Sequence, residues 1–132
     1  MLNFVHHIAI ICSDYERSKH FYSEVLGLTL VHEAYRRDRQ SWKCDFAVGS
    51  MQIELFSFPD PPPRLSRPEA CGLRHLAFSV TALEPAIKRL TSFGVVVEPI
   101  RTDRHTGRRY TFFADPDGLP LELYEWARPY GR

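Results

Sequence analysis

Residues 6–14, HHIAIICSD, and residues 74–82, RHLAFSVTA, share one pattern: a histidine, an aliphatic residue, an alanine and then a mostly apolar run. His7 falls on His75, an offset of 68 (75 − 7). The same offset carries Ile53-Glu54-Leu55 onto Leu121-Glu122-Leu123, since 122 − 54 is also 68. A single offset that aligns both a histidine and a glutamate points to a duplicated folding unit, and an internal repeat decides the fold before any single element does.

Each repeat opens on a strand. After the first, Asp14 is a helix cap and Tyr15, Phe21, Tyr22, Val25 and Leu26 follow at helical spacing until Gly27 stops the run. After the second, Thr81 or Ala82 opens a helix with Pro85 in its first turn, Leu83, Ala86, Ile87 and Leu90 on its apolar side, and Gly94 as its stop. β-Branched and aromatic stretches then predict strands over 28–35, 42–48 and 51–58 in the first half, and over 95–100, 110–114 and 119–126 in the second. Both halves read βαβββ. Phe58-Pro59-Asp60-Pro61-Pro62-Pro63 cannot supply a ladder of N–H donors and reads as an extended linker. The expected division is a first module over about 4–58, a linker over about 59–71 and a second module over about 72–127 of one domain. Asp115-Pro116-Asp117-Gly118 is a tight turn ahead of the last strand.

Side chains on a strand alternate between faces. His7, Ala9 and Ile11 therefore share one face and Ile8 and Ile10 the other, while His75, Ala77 and Ser79 oppose Leu76, Phe78 and Val80. The bulkier face belongs under the helix, which leaves each histidine on the other side with a small alanine beside it, an arrangement that implies a cavity. Glu54 between Ile53 and Leu55, and Glu122 between Leu121 and Leu123, fall on that same side. Four ligands, His7, Glu54, His75 and Glu122, are thus expected to converge from four strands. Two neutral imidazoles and two carboxylates neutralise one divalent cation and suit zinc, nickel, iron or manganese. In an octahedron they leave two positions for water or substrate oxygens. Such a cation acts as a Lewis acid on a carbonyl and stabilises an enediolate, while a carboxylate moves the proton.

The remaining composition sets bounds. The chain has 132 residues, 44% of them hydrophobic, enough for one core of its own. Seventeen basic and 16 acidic side chains leave a net charge of +1, so no global field attracts nucleic acid or anionic lipid, and a small molecule is the expected partner. Cys12, Cys44 and Cys71 are odd in number and widely spaced, which predicts neither a disulfide framework nor a cysteine metal site and fits a reducing cytoplasm. No long apolar run predicts a signal peptide or a membrane span. Arg101, Arg104, Arg108 and Arg109 form a cluster suited to gripping an anion, Arg101 and Arg109 being the substrate candidates, and Arg36, Arg37, Arg39, Trp42 and Lys43 surround a loop that overhangs the cavity. Phe56, Phe58, Phe112 and Tyr124 are pocket-lining candidates. His6 reads as a supporting residue, and His20, His32 and His105 as surface residues.

With His7 in HHIAI, Glu54 in IELF, His75 in RPEACGLRHLAFSV and Glu122 in DPDGLPLELYE, nearly the whole chain resembles the vicinal oxygen chelate superfamily, which spans glyoxalase I-like, bleomycin-resistance and dioxygenase proteins. It looks nearest to the glyoxalase I-like group and to the small bacterial YaeR-type proteins. The resemblance implies an α+β fold in which two βαβββ modules make an eight-stranded incomplete barrel or cup around one divalent cation per site. Nickel or zinc comes first, with iron(II), manganese or cobalt as alternatives. It further implies a lyase or isomerase acting on a small oxygen-bearing substrate, with Glu122 as the proton-transferring base and Glu54 as the alternative. A homodimer is implied as well, in some relatives with each site built from both chains.

Glyoxalase I itself carries an arginine and an asparagine where this chain has Ile11 and Phe58, which argues against a glutathione hemithioacetal. An iron(II) extradiol dioxygenase needs two histidines and one carboxylate, so Glu54 as a fourth ligand weighs against it. A thiol transferase of the fosfomycin type resembles the fold and needs cationic side chains, which the Arg101–Arg109 region offers. A drug-sequestering protein of the bleomycin-resistance kind lacks the four ligands retained in this chain.

Overall fold

Strand β1 (His7–Cys12) buries Ile10 and Cys12 and leaves His7, Ala9 and Ile11 on its other face, as a period of two requires. Asp14 then caps α1 (Tyr15–His20), its side chain accepting from the Arg17 amide at 3.1 Å. The helix widens into a π-helical turn (Phe21–Val25), closed by a bond from the Leu26 amide to the Phe21 carbonyl, and Gly27 at φ 72° ends it. This widening turns Phe21, Tyr22 and Val25 together into the core. Strands β2 (Thr29–Arg36), β3 (Ser41–Val48) and β4 (Met51–Ser57) complete a sheet of order β1-β4-β3-β2, with β1 and β4 parallel and the rest antiparallel. Helix α1 lies against β4. Between them Tyr22, Phe46, Ile53 and Leu55 are fully buried.

The second half repeats this with β5 (Leu76–Val80), α2 (Leu83–Ser92), β6 (Arg101–Thr102), β7 (Arg109–Ala114) and β8 (Pro120–Glu125), in the order β5-β8-β7-β6. Its core is Leu76, Leu83, Leu90, Phe113, Leu121 and Leu123. Ala82 has no side-chain acceptor for the start of α2, and Glu125 of β8 supplies one, receiving the Leu83 amide at 2.9 Å. The Asp115–Leu119 turn is closed by the Asp115 carboxylate, which accepts from the Asp117 and Leu119 amides, with Gly118 at φ 84°.

The computed structural model describes residues 1–126, so residue 127, the expected end of the second module, lies outside them. The chain divides into two compact units, Met1–Pro63 and a second that begins at Arg64. Each unit holds one mixed four-stranded sheet with a helix against it, an α+β architecture.

One expected strand is corrected. Residues 95–100 are not a strand; the pairing with β7 begins only at Arg101–Thr102. Pro99 has no N–H for the ladder. In its place Glu98 makes irregular bonds to the neighbouring strand, its amide donating to the Phe112 carbonyl and its own carbonyl accepting from the Thr111 hydroxyl.

Candidate metal centre

Strand pairing sets the site. In the first unit β1 and β4 place Ala9 opposite Glu54, and in the second β5 and β8 place Ala77 opposite Glu122, the same register at the same offset. Glu54 and Glu122 point away from the helix because Ile53, Leu55, Leu121 and Leu123 on either side of them are buried beneath it. The methyl group of each alanine leaves room above the strand, and the histidine two residues before it leans into that room. His7 Nε2 stands 3.7 Å from Glu54 Oε2, and His75 Nε2 stands 2.9 Å from Glu122 Oε2.

These pairs suit a cation. Two donors bound at about 2.0–2.2 Å in adjacent coordination positions stand about 3 Å apart. The second pair already has that spacing, and the first reaches it by a shift of roughly 0.7 Å. Nδ1 of His7 is engaged by Nδ1 of His6 at 2.9 Å, one ring donating to the other, which orients Nε2 toward Glu54. His75 is steadied by the Phe112 ring, edge-on with centroids 5.1 Å apart. The four expected ligands are therefore brought together two by two, one pair in each unit. Among the described residues no group of three or more His, Cys, Asp or Glu side chains is close enough to hold a cation.

The surroundings of the two pairs differ. Beside Glu54, β3 sets Asp45, whose carboxylate accepts from Lys43 Nζ at 2.7 Å; the same ammonium lies 3.8 Å from Glu54. His32 Nδ1 lies 3.9 Å from Asp45. Sequence reasoning set His32 aside as a surface residue and passed over Asp45. The cause is a bulge between Leu30 and His32, which resets the alternation and turns His32 to the Asp45 side. Asp45 is visible only once the β3–β4 register is known. Beside Glu122 the equivalent neighbour is Phe112, and Tyr110 stands opposite Tyr124.

Of the substrate candidates, Arg101 and Arg109 are already occupied. Arg109 forms a two-pronged pair with Glu125 and reaches Glu84 at 2.8 Å, while Arg101 pairs with Glu98 at 2.6 Å. The Arg109 guanidinium holds the Glu125 and Glu84 carboxyls below the ordinary glutamate range, and its role is to tie β7 and β8 to the start of α2. The Tyr124 hydroxyl donates to Asp103 and also meets Thr106. Phe56 and Phe112 share the sheet faces of Glu54 and Glu122 respectively. In the second unit a cavity of about 300 Å³ lies among Arg64, Arg67, Arg74 and Pro120, and Pro120 is one same-face position from Glu122.

Comparison with known proteins agrees with this architecture. Residues 4–123 match the Glyoxalase/Bleomycin resistance protein/Dioxygenase superfamily. YaeR of Escherichia coli (strain K12) is 62% identical over 122 residues, 92% of this chain and 95% of that protein. YwkD of Bacillus subtilis (strain 168) is 60% identical over 126 residues, 95% of this chain and 98% of its own length. The structure of a glyoxalase family protein from Enterococcus faecalis superposes with a TM-score of 0.87 at 47% identity, over 92% of this chain and 97% of the other. More distant relatives are enzymes: a 2-epi-5-epi-valiolone epimerase from Actinomyces sp, 30% identical over 90% of this chain and 77% of the enzyme, and the glutathione transferase FosA of Serratia marcescens, 30% identical over 94% and 82%. Duplicated sheets, matched registers and sequence similarity along most of the chain lead to one conclusion: the protein belongs to the Glyoxalase/Bleomycin resistance protein/Dioxygenase superfamily.

Proposed function

We propose that the protein is a cytoplasmic, metal-dependent enzyme of the glyoxalase-like lyase or isomerase type, and that His7, Glu54, His75 and Glu122 hold one divalent cation, nickel or zinc in the first instance. The observation that carries this reading is the His–Glu pair repeated at one strand register in both units, with Nε2 to Oε2 distances of 3.7 and 2.9 Å. Each unit offers two of the four donors. Bound there, a divalent cation supplies Lewis-acid polarisation to a pair of neighbouring substrate oxygens.

The chain's own residues do the rest. His6 keeps His7 in one orientation, and Phe112 does so for His75. Glu122, nearly buried and flanked by His75 and aromatic rings, takes the proton from the carbon next to the substrate carbonyl and afterwards gives a proton back. Glu54, with Lys43 at 3.8 Å, has a charged neighbour and serves as ligand. The three cysteines are free thiols, which supports the cytoplasmic assignment.

The test has two parts. Elemental analysis of protein purified without chelators or a nickel column is expected to give about one divalent ion per site. Proton NMR of small α-hydroxy ketones in deuterated buffer is expected to show exchange of the α-proton, lost in Glu122→Gln. Protein that takes up no divalent ion overturns the reading. Similarity to FosA favours a second reading, thiol addition to fosfomycin; loss of fosfomycin in the presence of glutathione, without α-proton exchange, would replace the first reading by this one.

A further inference from the structure

The strand registers of the first unit map the sheet face that carries His7 and Glu54. One row across it is Ala9, Glu54, Asp45 and His32; the next is Ile11, Phe56, Lys43 and Ala34; beyond that Ser41 faces Arg36. Two cations thus stand over one ring: Arg36 Cζ is 4.8 Å from the Phe56 centroid and Lys43 Nζ is 5.7 Å from it. Arg36 also lies 5.7 Å from Phe58, whose ring is nearly parallel to that of Phe56 at 12°.

The two cations are held differently. Lys43 has Asp45 at 2.7 Å and Glu54 at 3.8 Å, but Arg36 has no carboxylate partner among the described residues; Nη2 donates to the Ser41 hydroxyl at 3.1 Å, and Nε is secluded from solvent without an acceptor. Two like charges near one ring repel, and an anion placed between them relieves that repulsion. Alongside, Ile11 is 56% exposed, a large apolar side chain in the same row as Phe56 and Lys43.

We propose that Arg36 and Lys43, set over Phe56 and Phe58, bind an oxyanion, the carboxylate or phosphate of a small organic acid or phosphate ester. Successive same-face rows are roughly 7 Å apart. An anion held by Lys43 and Arg36 therefore leaves the rest of the molecule to run along Phe56 and Ile11 in the direction of Glu54. The part concerning substrate rests on the metal reading above; oxyanion binding itself does not.

The test is a titration of the full chain at low ionic strength with inorganic phosphate and with malonate, followed by amide and arginine Nε shifts in nitrogen-15 NMR, with manganese(II) binding measured in parallel. Saturable shifts at Ser41, Lys43 and Phe56 are expected, weakened about ten-fold or more in both Arg36→Gln and Lys43→Gln and unchanged in the neighbouring control Arg37→Gln. A preference for either anion supports the proposal and names the source. Where Arg36→Gln does not fold, Arg36→Lys and Lys43→Gln decide. Absence of saturable shifts with both anions, or equal weakening in Arg37→Gln, overturns it. Phosphate bound by a chain that takes up no divalent cation, zinc(II) and nickel(II) included, leaves the platform standing and removes the metal reading; a divalent cation bound without either anion does the reverse.

Discussion

In the first unit the carboxylate of the repeated pair faces Asp45 and the Lys43 ammonium; in the second the same position on the sheet holds Phe112, edge-on to His75. Lys43 opposes Phe56, and at the corresponding place Tyr110 opposes Tyr124. Backbone register and the buried aliphatic residues on either side of the carboxylate are repeated, whereas the side chains beside the carboxylate are charged in one unit and aromatic in the other. A duplicated scaffold fixes where donors stand. What fills the adjacent strand separates the two halves: proton transfer beside Glu122 belongs to the proposed function, and oxyanion anchoring beside Glu54 to the further proposal.

The scaffold half of that comparison carries the largest expected effects. Leu55 and Leu123 are both buried at equivalent positions, so Leu55→Ala and Leu123→Ala should each destabilise by about 2–5 kcal/mol in urea unfolding. A loss confined to one variant would break the equivalence. Next come the neighbours that differ. Phe112→Ala frees the His75 ring and is expected to weaken divalent-cation binding by about ten-fold in calorimetry, whereas Lys43→Gln removes a cation beside Glu54 and should leave that binding unchanged or tighter. The reverse order would exchange the two roles.

The smallest effect is on acid stability. Lys19 and Tyr15 hold the Glu33 carboxyl below its usual value of 4.5 in the first unit, and Arg109 with the Leu83 amide does the same for Glu125 in the second. A carboxyl depressed in the folded state binds fewer protons there than when unfolded. Its contribution is present above 4.5 and is lost as pH falls through the folded value. Urea midpoints should therefore drop between pH 5 and about pH 3, and the drop should be shallower in Glu33→Gln.

Much of this was legible in the sequence, because period-two alternation and a common offset are local signals. His7, Ala9, Glu54 and their counterparts could be put on the correct faces without coordinates. What escaped depended on pairing between distant segments. Residues 95–100 look like a strand by composition, but Pro99 and the irregular bonds of Glu98 prevent a regular ladder. His32 is on the side of Asp45 because of a bulge that no residue pattern announces. Arg101 and Arg109 resemble an anion grip until Glu98, Glu84 and Glu125 are seen to occupy them. Arg36 reads in the sequence only as part of a loop, and the fold leaves it without a carboxylate among the described residues.

The proposed function gives His7, Glu54, His75 and Glu122 one cation to hold, and cobalt(II) titration of the chain and its His7→Ala and His75→Ala variants tests it most directly, read from the visible ligand-field bands. The expected result is one site whose spectrum and affinity are lost in both variants alike. A cobalt spectrum that survives His7→Ala intact and disappears only with His75→Ala would show a centre built from one unit alone, and would contradict the claim.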